Sequence, residues 1–488
     1  MLTTVTPSTT VRLGARSTAH RHYDRHRPEQ SSLYCIVEQN LESFFTHLGE
    51  RDGTLPRFVR SEFEAYLRCG RLEHGFLRAK CTQCRHERLV AFSCKCRGFC
   101  PSCASRRMVE TAAYLVDDVL PPVPVRQWVL SFPWPLRLLF AAKPELLTCV
   151  LGVVTRALST SVIQRAGLTR RAGGETGVVT FIQRFGSALN LNIHLHMLLP
   201  DGACTFSGGE PRFHRVRAPT EAYLIELLDT LIGRITRSLV RSGALVEHPE
   251  HPWLDIDSDT TLEQLASASV SYRIATGPLA GHKTMTLHHR EAVRVDTSSP
   301  KPLTAARDGF SLNAAVVCEA HERDKLEHLC RYVARGPIAL DRLSIDGDGL
   351  VVHELKRPFS NGTTHVLFEP IDFMARLAAL VPRPRVHLVR YHGLFAPNAK
   401  HRHHIVKRTS HTPACDDNPK CAHDSPPTLS GASMSWMQRL RRVFQIEISQ
   451  CPRCGGGVRV IAAITEPALI RRLLEYTGAR APPAASVR

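Results

Sequence analysis

The 488-residue sequence predicts an α+β protein: a central antiparallel sheet with flanking helices, preceded by a small helical and zinc-knuckle domain. Three kinds of stretch carry that reading. Between Asn190 and Gly202, Ile193, Leu195, Met197 and Leu199 alternate with Asn192, His194 and His196, the period-two pattern of a half-buried strand. Val123 to Pro133 and Val178 to Phe185 are apolar runs bounded by proline or by a glycine-rich turn, and read as further strands. Glu221 to Arg241 and Glu322 to Ala334 place their apolar residues at helical spacing.

Length allows about three domains of roughly 150 residues. Lys and Arg total 63 against 45 acidic residues, and the net charge of +18 with a pI near 9.5 favours a polyanionic partner, most economically nucleic acid. A merely basic protein is the competing reading. No run approaches the roughly 18 uninterrupted apolar residues of a spanning helix, so no membrane segment is expected. Of the sixteen cysteines, eight lie in two clusters with metal-ligand spacing, which fits a reducing, cytoplasmic compartment.

Residues 1–29 read as a disordered basic tail, and 30–110 as a zinc-binding, DNA-binding domain. In the latter, Cys35 to Leu48 and Arg57 to Cys69 have helical periodicity. Cys81-Thr-Gln-Cys84 and Cys100-Pro-Ser-Cys103 are two knuckles with Arg85 to Phe99 between them. Two short loops that each supply two thiolates suit tetrahedral zinc, so Cys81, Cys84, Cys100 and Cys103 are expected to form one site. Cys94 and Cys96 lie between the pairs and leave open ligand exchange or a second partial site, and a redox pair or disulfide is the alternative. Arg97, Arg106 and Arg107 nearby suit phosphate contact or a solvated basic face.

A third region, 120–396, carries the strands. A helix is expected at Met108 to Val119 before it, and a helical segment at Leu136 to Gln164 within it. Ser269 to Arg307 is less readable, with His282, Lys283, His288 and His289 on a solvated surface. Phe310 to Cys318 reads as one strand. In the helix that follows, Leu326, Leu329, Cys330 and Val333 form the buried stripe. Tyr332 lies off it, on a face shared with His328 and Lys325 and next to Arg335. Its phenol is therefore a candidate nucleophile or an ordinary exposed aromatic.

His194 and His196 share a strand face about 7 Å apart, within reach of one metal ion. Paired histidines also occur on ordinary strands. Lys356, after a turn at Gly347 to Gly349, and Arg390 beside Tyr391 are candidate DNA contacts, with surface and packing roles as alternatives. Residues 397–433 are rich in His, Lys, Pro and Ser and read as a linker. Residues 434–480 form a small C-terminal module with a helix through Trp436, Leu440, Val443 and Phe444. Its knuckle Cys451-Pro-Arg-Cys454 is a partial zinc site, to be completed by Cys415, Cys421 or His423 or left as a half-knuckle.

The order of these motifs is more specific than any one of them. A Cys-x-x-Cys domain is followed by Phe185 to His196, then Leu329-Cys-Arg-Tyr-Val-Ala-Arg335, Arg390-Tyr-His-Gly393 and Cys451 to Gly456. From about Leu33 to Tyr476 this resembles the rolling-circle insertion-sequence transposases, members of the His-hydrophobic-His (HUH) single-strand endonucleases.

The resemblance implies an HUH endonuclease-like fold and an N-terminal transposase zinc-binding domain. It also implies Mg²⁺ or Mn²⁺ at His194 and His196, and Tyr332 as nucleophile. The implied function is a bacterial, cytoplasmic DNA transposase that nicks and rejoins single-stranded DNA, at element ends and target, through a 5′-phosphotyrosine. The rivals are a replication initiator or relaxase-like nickase, and a non-catalytic zinc-containing DNA-binding protein. Some relatives carry a second tyrosine one turn on, but position 336 is glycine, which points to the single-tyrosine subgroup. Relatives often have proline there and a histidine near Asn313, so the third metal ligand is open, with Gln183 and His328 as candidates.

Overall fold

The computed structural model describes residues 21–22, 27–207, 210–246, 253–254, 260–288, 302–406, 446–447 and 449–477. Most of the basic tail, most of the loop at 247–259, His289, the linker beyond 406, Cys415, Cys421, His423 and the helix around Trp436 lie outside the described residues.

The chain is α+β. Its largest sheet has seven antiparallel strands, running in order Thr304–Arg307, Phe310–Asn313, Val125–Ser131, Leu191–Pro200, Gly177–Phe185 and Val389–Gly393, with Val317–Cys318 also paired to Val125–Ser131. The strand bearing His194 and His196 is thus central. Ile193, Leu195, Met197 and Leu199 enter a core with the helices Trp134–Ala142, Pro144–Arg165 and Glu221–Arg241. Leu198, Val179 and Phe181 take part in a second core, against Leu326, Leu329, Cys330 and Val333 of the helix Arg323–Ala334. Helices therefore cover both faces of the sheet, and the tyrosine helix lies on the histidine face.

Several boundaries differ from the expected ones for local reasons. The helix expected from Met108 begins at Pro101, because proline has its φ already suited to a first helical turn. It ends in a π-helical turn at Leu115–Val119. The segment expected as one helix through Gln164 is two, broken at Lys143 before Pro144, whose ring lacks the N–H a continuous helix needs. The second, Pro144–Arg165, is long and apolar enough to cross a membrane by length and composition alone, although Thr148, Thr155, Arg156, Ser159 and Ser161 interrupt its apolar run. Here its apolar face packs on the sheet. Phe310 to Cys318 is two strands, interrupted where Ala314 gives its carbonyl to Arg126 Nη1 at 2.8 Å. The linker begins later than 397, since Arg402–Ile405 is helical and Ile405 and Val406 pack with Leu394 and Phe395.

The N-terminal region shares a core with the rest. Helices Ser32–Gly49 and Arg57–Arg68 bury Phe44, Phe63 and Tyr66 around Phe99, and the same cluster continues into helix Pro370–Leu380 and the strands Val351–Glu354 and Thr363–Phe368. Arg97 donates to the carbonyls of Val386 (2.5 Å) and Arg383 (3.1 Å), tying the knuckle loop to the segment that leads into the edge strand. The C-terminal segment is likewise joined to it. Strand Val458–Ile464 pairs with Phe76–Cys81, which pairs in turn with Glu87–Ala91, to make a three-stranded sheet. Ile470 and Leu474 of the last helix, Pro467–Thr477, pack on Leu72, Phe76 and Ile464.

The central sheet is closed at one end by a buried ion pair. Arg126 donates through Nε and Nη2 to the Asp201 carboxylate at 2.6–3.0 Å, and the two side chains are only 5% and 9% exposed. Removing one partner leaves the other charge buried and alone, so Asp201→Ala should lower stability by about 3–5 kcal/mol in chemical denaturation. A loss within about 0.5 kcal/mol, the range of surface substitutions, would mean that water reaches the pair.

Candidate active site and metal centres

The histidine pair is held by its neighbours in the sheet. The turn after Gly177–Phe185 is tight: a Cβ on Gly186 would come within 2.2 Å of Asn190 Oδ1, so glycine lets the chain reverse into the histidine strand. His194 Nδ1 lies 2.8 Å from the Asn192 carbonyl, which can only accept. Nδ1 therefore carries the proton and Nε2 keeps its lone pair. His196 Nδ1 is 2.7 Å from Gln127 Nε2, an amide donor, and its Nε2 is 3.3 Å from Gln183 Oε1. The two ring centroids are 4.9 Å apart. Burial pushes both imidazoles down from the usual value. His196 falls to about 3, first through burial and then through the charges of His194 and Arg335, and Arg137 and Arg335 add to the effect at His194. Both rings are neutral at physiological pH, the form that binds metal.

Tyr332 faces this pair. Its ring is 6.2 Å from that of His196, centroid to centroid and nearly perpendicular, and 42% of the residue is exposed. The Arg335 guanidinium lies 4.6 Å above the phenol ring and Lys356 Nζ 5.5 Å from its centroid. Arg335 also faces Phe185, and its Nε is buried without a hydrogen-bond partner. Beside them a cavity of about 150 Å³ is lined by Arg335, Arg342, Lys356, His353 and Ser187.

Other candidates fall elsewhere. Lys325 pairs with Glu322 at 2.9 Å and sits two helical turns from Tyr332, about 10 Å along the axis, so it is no partner of the phenol. His328 is exposed, one turn before the tyrosine. Asn313 pairs with Val129, which pairs with His196, so it lies two strands away on the same face, its amide donating to Thr304 Oγ1 at 2.7 Å. Gly336 is set by packing: a Cβ there would come within 2.5 Å of Ala104 Cβ, which leaves no room for a second tyrosine.

The cysteines group differently from the expected quartet of Cys81, Cys84, Cys100 and Cys103. Cys100 and Cys103 join Cys69 and Cys94, with Sγ separations of 3.4–3.7 Å, and Cys81 and Cys84 join Cys451 and Cys454, with two separations of 3.5 Å. The reason is the hairpin between them. Cys81 to Cys84 cap the tip of strands Phe76–Cys81 and Glu87–Ala91, whereas Cys69 and Cys94 sit at its base. Five residues at about 3.3 Å each put the two ends too far apart for one ion. The separations exclude disulfides, whose sulfurs lie about 2.05 Å apart, and match the edge of roughly 3.8 Å expected when zinc binds four sulfurs at about 2.3 Å.

Two family models match the chain: "Transposase zinc-binding domain" over residues 36–132 and "Putative transposase" over residues 177–403. Neither a curated protein nor a solved structure matches it. The first model spans Cys69, Cys81, Cys84, Cys94, Cys100 and Cys103, and the second spans His194, His196 and Tyr332. The chain belongs to the IS91-type transposases.

For a transposase the partner is DNA, and its zinc-binding domain together with two sulfur tetrads supports structural zinc. Of the arginines expected at phosphate in that domain, Arg97 is committed to backbone carbonyls. Arg107 donates to the carbonyls of Lys95 and Cys96, and Arg106 pairs with Glu110 at 3.1 Å. Arg97 and Arg107 thus brace the knuckle loop, while Arg106 stays exposed on its helix. Arg390 donates to the His387 carbonyl from the edge strand. The residues missed in the sequence are Gln127 and Arg137. Only strand register reveals Gln127: Val129 pairs with His196, so Gln127 lies diagonal to it on the same face.

An unfolded histidine titrates near 6.5, but folded His196 near 3, so between those values only the unfolded chain takes the proton. The contribution of His196 to stability is therefore full above pH 6.5 and is lost as pH falls toward 3. In EDTA, His196→Gln should flatten the acid limb of stability against pH, measured by chemical denaturation. An unchanged slope would contradict a buried neutral imidazole.

Proposed function

We propose that this transposase nicks and rejoins single-stranded DNA through a covalent 5′-phosphotyrosine on Tyr332, in rolling-circle-type transposition, on an HUH-type fold. The observation that carries the reading is the position of Tyr332, with His196 on one side and Arg335 and Lys356 over its ring. The neighbouring tyrosine of the edge strand is a poorer nucleophile, since burial pushes Tyr391 up to about 12.

His194 Nε2 and Gln183 Oε1 present free lone pairs, and His196 Nε2 does so once the Gln127 amide is turned to offer its oxygen to Nδ1; the three are neutral ligands that would fit a divalent ion of the Mg²⁺ or Mn²⁺ class. Asn192 Oδ1, on the same strand face, is buried without a partner. When bound, such an ion supplies positive charge to the oxygens of the scissile phosphate, and none of it is cancelled by a carboxylate among these donors.

The side chains of the chain do the rest. The Tyr332 hydroxyl gives its proton to water as it attacks, with the cations of Arg335 and Lys356 beside its ring. The phenolic oxygen forms a bond to phosphorus as the bond from phosphorus to the 3′ oxygen breaks, and that oxygen leaves as a free 3′-hydroxyl after taking a proton from water. Arg335, with an unpartnered Nε, is suited to a phosphate oxygen, and the basic cavity beside it to the adjoining nucleotide. One phosphodiester has been exchanged for another, so a second 3′-hydroxyl can reverse the attack without ATP. A splayed single strand leaves phosphorus open to in-line attack, which a stacked duplex resists.

Purified protein mixed with labelled single-stranded DNA carrying the element ends should give a covalent adduct on a denaturing gel. The adduct should disappear in EDTA and in Tyr332→Phe, and Arg335→Ala should form it about 10²-fold more slowly. A full-strength adduct in Tyr332→Phe would remove the assignment.

A further inference from the structure

The tetrad of Cys81, Cys84, Cys451 and Cys454 joins a knuckle of the N-terminal domain to one that follows the whole nuclease region, and it lies apart from the histidine site. The pairing is deeper than sulfur proximity. Thr82 N and Oγ1 both donate to the Gly457 carbonyl, at 2.9 and 3.1 Å, and Val458 stands opposite Cys81 in the sheet. A Cβ on Gly456 would come within 2.7 Å of Gln83 Oε1, so the second knuckle's glycines allow its loop to lie on the first.

The two knuckles also have one backbone shape. The residue after the second cysteine is left-handed in both, Arg85 at φ 57° and Gly455 at φ 73°. In the first, Gln83 N lies 3.4 Å from Cys81 Sγ, an amide turned toward sulfur as a thiolate requires. Arginine in a left-handed conformation is strained, and a tetrahedral ion gripped by the loop is a reason for a non-glycine residue to hold it. Four thiolates on one Zn²⁺ carry a net charge of −2.

We propose that Cys81, Cys84, Cys451 and Cys454 bind a second structural zinc ion, separate from the one held by Cys69, Cys94, Cys100 and Cys103. The site acts as a clasp. It fixes strand Val458–Ile464 to the N-terminal hairpin, and so returns the C-terminal segment to the zinc-binding domain after the nuclease region has intervened. Each thiol gives up its proton as Zn²⁺ binds, with no redox step. Soft thiolate donors in a tetrahedron select zinc over Mg²⁺ or Mn²⁺, so this site does not compete for the ion of the histidine pair.

Zinc content of the purified full-length chain tests this. Wild type should carry two ions. Cys81→Ser/Cys84→Ser and Cys451→Ser/Cys454→Ser should each carry one, and the quadruple variant should still carry one, because both pairs serve the same ion. Retention of that ion, with an unchanged elution volume, shows that the variant has folded. X-ray absorption on unaltered protein should find four sulfurs around each zinc. One ion in wild type, two ions retained in the Cys451/Cys454 variant, or none in a folded quadruple variant would each overturn the proposal.

Discussion

The packing of one helix stripe on one sheet face governs the site. Leu326, Leu329, Cys330 and Val333 bury against Leu198, Val179 and Phe181 of the sheet and against Ala112, Leu115 and Val116 of the neighbouring helix, and this packing fixes where Tyr332 points. A helix turned by one residue, about 100°, would carry the phenol away from His196 and from Lys356. The sheet contributes the other half. Gln127, on the neighbouring strand, holds His196 from one side while Gln183 meets it from the other, so the imidazole is placed by three consecutive strands. Tyr332 and the histidines thus lie on separate elements, and the packing between helix and sheet sets the distance between them.

That core is braced from outside the nuclease region. Gly336 follows the tyrosine helix at a point where Ala104 of the zinc-binding domain leaves no room for a side chain. Arg97 of the knuckle loop fastens the segment before the edge strand. The sulfur tetrad at the base of the hairpin therefore supports, through Cys100, Cys103 and the helix that begins between them, the same surface on which Arg335 and Lys356 meet the phenol. A domain that looks in sequence like a separate DNA-binding unit is also a buttress for the face that carries Tyr332.

What could be read in the sequence was whatever depends on a local period. The alternation through His194 and His196 and the apolar stripe of the tyrosine helix both correspond to observed faces, because a strand of period two and a helix of period 3.6 expose their partition directly. The proline break before Pro144 and the start at Pro101 follow rules just as local, but were masked by long apolar runs. The cysteine partners were not legible. Two knuckles joined by the single stretch Arg85 to Phe99 imitate one four-cysteine site, and only the length of the hairpin between them shows that they lie at opposite ends of it. Cys69 stands outside any Cys-x-x-Cys pair, and the partners of Cys81 arrive only after the whole nuclease region. Likewise nothing in the spacing separates Lys325, which is held by Glu322, from Lys356, which comes to the phenol across a chain reversal.

The central claim is that the phenol beside the histidine pair is the group that takes the DNA. Tandem mass spectrometry of the wild-type adduct, after nuclease and protease digestion, tests it without altering the chain. A nucleotide phosphate carried on the peptide at Tyr332 is the predicted result. The same mass on a peptide containing Tyr391, Tyr114 or any other tyrosine would contradict that claim, because it would separate the chemistry from the contact of Tyr332 with His196, Arg335 and Lys356.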